Sequence, residues 1–85
     1  MTKAEFKKWL TERNEALRSL DVAKFRAFYH KWQKRGLYSE LMPKDDKVIE
    51  IMIRKSICMC SGSFTEEEIA EAKKWLKDRG FIVPK

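Results

Sequence analysis

Val48-Ile49-Glu50-Ile51-Met52-Ile53-Arg54-Lys55-Ser56-Ile57-Cys58-Met59-Cys60 is the stretch on which the fold class turns. Nine of its thirteen residues are apolar, and the β-branched ones among them would suit a strand. At helical spacing, Val48, Ile49, Met52, Ile53, Ile57 and Cys60 share a face, while Ile51, Cys58 and Met59 fall off it. A strand here would stand alone, because no other segment of the chain offers a partner for its backbone N–H and C=O groups. The reading is therefore a helix, and one apolar on most sides is expected to lie centrally.

The flanking segments carry clear helix punctuation. On the N-terminal side, Pro43 sits in a connector over 37–45, and Asp45 and Asp46 place negative charge where a helix begins. Further back, Thr2 and Glu5 have the spacing of a capping box, followed by Phe6, Trp9, Leu10, Leu17 and Leu20 at intervals of three and four. Asp21 then reads as the N-cap of a second helix carrying Val22, Phe25, Phe28, Tyr29 and Trp32 on one face, with Gly36 at its left-handed end. On the C-terminal side, Ser61-Gly62-Ser63 breaks the chain, Thr65 and Glu68 form a second capping box, and Gly80 closes the last helix. The expectation is an all-α fold, a compact bundle of four short helices over 3–20, 22–35, 45–60 and 66–79, in a single helical domain over 1–85. Its expected core is Phe6, Trp9, Leu10, Leu17, Phe25, Tyr29, Trp32, Ile49, Met52, Ile53, Ile57, Ile69, Leu76 and Phe81.

Composition narrows the setting. With 44% apolar and 38% charged residues, the 85-residue chain has the balance of a folded globular protein. No apolar run approaches the ~18–20 residues of a membrane span, and Lys3, Glu5, Lys7 and Lys8 deny the start the character of a signal peptide. Cys58 and Cys60 point roughly 200° apart on a helix, so free thiols and a cytoplasmic location are expected. The formal charge of +6 is concentrated early, with ten Lys/Arg against four Asp/Glu in residues 1–36.

Two surfaces are candidates for function. On the basic helix 22–35, Lys24, Lys31, Lys34 and Arg35 have the arrangement to follow a nucleic-acid backbone, whose affinity comes mainly from charge neutralisation. The same residues equally suit the plain solvated face of an amphipathic helix, and the aromatic stripe beside them has core spacing. Tyr38, Leu41, Met42, Ile51, Met59 and Ile82 lie off the apolar stripes, and a contiguous patch of them would mark a protein interface. The primary expectation is a non-enzymatic protein-interaction module, with another protein or a second copy as partner. Non-specific nucleic-acid backbone binding through 22–35 is the alternative.

Catalytic and metal chemistry find little footing. His30, Cys58 and Cys60 supply three ligands where a structural zinc site takes four at recognised spacings, so no metal is expected. Glu66, Glu67 and Glu68 fit the first turn of a helix, where the macrodipole favours negative charge. The three glycines are isolated and form no phosphate loop. No enzyme activity, cofactor or membrane association is expected.

Through Phe6, Trp9, Leu10, Arg13, Asn14, Leu17 and Leu20-Asp21, then Tyr29 and Trp32, and finally Lys74-Trp75-Leu76 and Gly80-Phe81, the chain resembles the short uncharacterised helical proteins of bacterial genomes and prophages. The resemblance implies a bacterial or phage cytosolic setting. It carries over no activity and no site residue.

Overall fold

Local chemistry at the helix ends sets the architecture. A computed structural model describes residues 2–83, with Ser61 described through its backbone alone. The fold is all-α: α1 spans Lys3–Ser19, α2 Val22–Lys34, α3 Asp46–Met59 and α4 Glu66–Asp78, with a 3₁₀ turn at Ser61–Ser63 before α4. No strand occurs among the described residues, and each helix ends within one residue of the range expected from the sequence.

Side-chain caps account for those ends. The Thr65 hydroxyl accepts from Glu68 N at 3.1 Å while the Glu68 carboxylate accepts from Thr65 N at 2.9 Å, a complete capping box. At α1 the box is half made. Thr2 Oγ1 accepts from Glu5 N at 3.1 Å, but the Glu5 carboxylate takes the Thr2 hydroxyl proton at 3.2 Å. The Asp21 carboxylate caps α2 through Ala23 N and Lys24 N, and the Asp45 carboxylate caps α3 through Lys47 N. Gly36 and Gly80, at φ +83° and +79°, close α2 and α4 in the left-handed conformation. In both cases the next residue donates back across the turn, Leu37 N to Trp32 O at 3.1 Å and Phe81 N to Leu76 O at 3.0 Å. Leu20 adopts φ +57° without being glycine, a conformation that costs about 1–2 kcal/mol in an L-residue.

The contacts group into two units, Met1–Lys44 and Asp45–Lys85. In the first, the two-residue turn at Leu20–Asp21 folds α2 back onto α1, and Ala16, Leu17, Phe25, Phe28, Tyr29, Trp32 and Met42 are buried. The connector after α2 is tied down by α2 itself. Tyr29 Oη and Gln33 Nε2 both donate to Glu40 O, and the Arg26 guanidinium donates to Pro43 O and Lys44 O at 2.9 and 2.8 Å. Tyr38 stacks on Tyr29 with ring centroids 4.4 Å apart, and its hydroxyl accepts from Trp9 Nε1 at 3.0 Å.

In the second unit α4 packs on α3, with Ile49, Ile53, Ile57, Cys58, Phe64, Ala72 and Leu76 buried. α3 is buried along part of its surface: Val48 and Met59 are exposed, and Ile51 and Met52 are half-buried, so Met52 of the expected core is only partly covered. Two expected core residues also lie outside. Phe6, on the second turn of α1, is 50% exposed and rests against Trp9, and Phe81, just past α4, is 37% exposed. Conversely, Phe28, Met42 and Phe64 are buried although the expected core omits them, Phe28 despite its place on the apolar face of α2.

Candidate functional site

In the second unit, a groove of about 280 Å³ opens between α3 and the end of α4. Lys47, Glu50 and Ile51 line it from the first two turns of α3, Trp75 from α4, Arg79 from the C-cap of α4, and Phe81 from the segment beyond. Its shape follows from the helix end: Gly80 turns left-handed, and the Phe81 N–H bond to Leu76 O holds Phe81 at the side of the groove. Trp75 is half-buried.

Two guanidiniums meet on that indole. Arg54 Cζ lies 4.4 Å and Arg79 Cζ 4.0 Å from the Trp75 ring centroid, both within cation–π range. Arg79 Nη1 also donates to the Trp75 carbonyl at 3.2 Å. Burial lowers the Arg54 pKa from its ordinary value, the Glu50 charge opposes that shift, and the Arg79 charge adds to it. Among the described residues, neither guanidinium forms an ion pair with a carboxylate. A guanidinium carries five N–H donors, so Arg79 retains others beyond the one given to the Trp75 carbonyl.

The first unit gathers cations differently. Lys24, Lys34 and Arg35 are exposed, but Lys31 forms an ion pair with Glu12 of α1. The same carboxylate accepts from Trp32 Nε1 at 2.9 Å. The bond from Lys31 holds Glu12 below its ordinary pKa against the opposing effect of burial, with help from the Lys31 charge, the Trp32 donor and the nearby Lys8. Lys31 and Arg35 both lie over the Trp32 ring, at 5.7 and 4.9 Å. Of the four backbone-binding candidates, the structure thus brings Lys31 and Arg35 together at Trp32, with Lys31 already engaged.

The interface candidates differ in exposure. Ile51 lines the groove, while Leu41, Met59 and Ile82 are 88%, 74% and 89% exposed. Met59 sits eight residues beyond Ile51 on α3, about 12 Å along the axis. Tyr38 is half-buried in its stack on Tyr29. Met42, in the connector that Arg26 and Tyr29 pin, is buried and so offers no open surface to a partner.

Trp75, Arg79, Arg54 and Phe81 went unnamed as site residues. Trp75 and Arg79 stand four apart on one helix and were readable as a pair, whereas Arg54 reaches them only because α3 packs on α4.

Cys58 is buried and Cys60 half-buried, both with free thiols, and burial pushes the Cys58 thiol up. His30 is exposed, its ring edge-on to Tyr29. Among the described residues, no group of three His, Cys, Asp or Glu is placed to hold a metal ion, and no helix is long and apolar enough to cross a membrane. No protein-family model, no curated protein and no solved structure matches the chain.

Proposed function

We propose that this chain is a non-enzymatic protein-interaction module that receives a segment of a partner protein in the groove formed by Ile51, Trp75 and Phe81. The observation that carries this reading is the groove itself, where three large apolar side chains stay partly open to water beside charged neighbours. Apolar surface left open in this way marks interaction sites, and Trp and Arg are the residue types that most often dominate binding energy. A cytoplasmic setting suits the free thiols of Cys58 and Cys60.

Selection from a random hexapeptide library tests the reading. The wild-type chain is expected to enrich peptides with large apolar side chains, and Ile51→Ser, a change at a half-buried position, is expected to abolish the enrichment while circular dichroism stays helical. Enrichment of nothing, or enrichment that survives Ile51→Ser, would refute it.

A second reading is favoured by the charge distribution. Met1–Lys44 holds eleven Lys/Arg against five Asp/Glu, with no acid anywhere on α2, whereas Asp45–Lys85 holds eight of each. Such an excess suits a phosphate backbone. Random duplex DNA is expected to bind at low salt, and replacing exposed Lys24, Lys34 and Arg35 together with Gln is expected to weaken binding and flatten its salt dependence. Absence of binding at low salt would end that reading.

A further inference from the structure

We infer that the groove selects an acidic segment, seating a carboxylate across the Arg54 and Arg79 guanidiniums while the adjoining apolar side chain packs on Ile51, Trp75 and Phe81. The inference rests on the groove being a peptide site and adds the chemistry of its occupant. Burial strips hydration from Arg54 and the Arg79 charge adds to that cost, and the Glu50 charge, although stronger than the Arg79 repulsion, leaves the net shift on Arg54 downward. Within a folded chain such a pair is normally relieved by a carboxylate, as Glu12 relieves Lys31 in the first unit. Here the described residues supply none within ion-pair distance.

Geometry suits the missing partner. A guanidinium carries its N–H donors in a planar fork that matches a carboxylate, which gives Arg–carboxylate bonds their strength and directionality, and Arg79 keeps further donors beyond the one spent on the Trp75 carbonyl. Lys47 and Arg79 line the groove against one acid, Glu50, and Arg54 adjoins it on the Trp75 ring. Ile51 and Phe81 give a bare phosphate chain nothing to bind. An Asp or Glu next to Leu, Ile, Met or Phe satisfies both halves of the site.

The same library separates this inference from the reading beneath it. Wild-type selection is expected to enrich peptides with an acid beside the apolar residue. For the best of these, fluorescence anisotropy is expected to show about a tenfold loss of affinity in each of Arg54→Gln and Arg79→Gln. Arg79→Lys, at an exposed position where folding is not at stake, is expected to recover only part of that loss, because an ammonium lacks the fork. Enriched peptides that are apolar but carry no acid, or acidic peptides bound equally by the Gln variants, would overturn the acidic specificity and leave the groove standing. No enrichment at all removes both. So would self-association, measured by light scattering without peptide, that Ile51→Ser abolishes, because a second copy would then be the occupant.

Discussion

The two helical pairs each surround a tryptophan with cations, and they finish the cluster in opposite ways. In Met1–Lys44, Trp32 is fully buried, its indole N–H and Lys31 converge on the Glu12 carboxylate, and Arg35 covers the ring. In Asp45–Lys85, Trp75 is half-buried, two guanidiniums lie on it, and no described carboxylate completes the set. The first cluster is satisfied internally, which is what packing requires. The second has unused donor capacity at the edge of a groove, which is what recognition requires. A tryptophan among arginines is therefore informative only once its counter-charge has been traced.

The largest expected effect separates the two tryptophans. Trp32→Ala should cost about 3–5 kcal/mol, seen as loss of amide hydrogen-exchange protection throughout α1 and α2. Trp75→Ala should cost about 1–2 kcal/mol and abolish peptide binding. Equal destabilisation by both would break the contrast.

Next comes Glu12. Glu12→Ala leaves the buried Trp32 N–H without its acceptor and should cost about 1–3 kcal/mol, whereas Glu12→Gln keeps an acceptor and should cost less. The pH dependence follows from the same bond. Because Lys31 lowers the Glu12 pKa in the folded state, the stabilisation is complete above the ordinary carboxylate value of 4.5 and is lost as pH falls through the lower folded value. Thermal melts should show the Glu12→Gln penalty at neutral pH shrinking on acidification toward about pH 3. A penalty that stays constant would mean the carboxylate charge does not contribute.

Smaller effects belong to the turns. Gly80→Ala forces a Cβ into the left-handed region, at about 1 kcal/mol, and should weaken peptide binding through Phe81; Gly36→Ala should cost the same without touching binding. Leu20→Gly relieves the same strain and should raise Tm by a few degrees, corresponding to about 1 kcal/mol. A drop in Tm would show that the Leu20 side chain, 44% exposed, packs more than its exposure indicates.

Legibility in the sequence tracked the range of the interaction. Thr2, Asp21, Gly36, Thr65 and Gly80 act within one helical turn, so their roles could be read directly, and with them the four helices. The choice of helix over strand for residues 48–60 needed only the absence of a second strand to pair with. Burial was harder. Phe6 keeps the apolar spacing of α1 yet is half exposed, and nothing in its own helix distinguishes it from Leu17, which is buried. The candidate site was harder still. The Arg54–Trp75 contact spans 21 positions and Lys31–Glu12 spans 19, so both depend on which helix faces which. Met42 was misplaced for a related reason: its connector is held by Tyr29, Gln33 and Arg26 gripping backbone carbonyls on either side of it, a use of side chains that residue type alone does not announce.

That grip has a kinetic consequence. Glu40, Pro43 and Lys44 offer their carbonyls to side chains of α2, within 18 residues along the chain, so the connector can order as soon as α2 forms and closes short loops in doing so. Leu41, between these anchors and 88% exposed, is then the natural point of protease attack in an otherwise guarded segment. Loosening Arg26 would spread cleavage toward Lys44, turning a packed loop into a swivel.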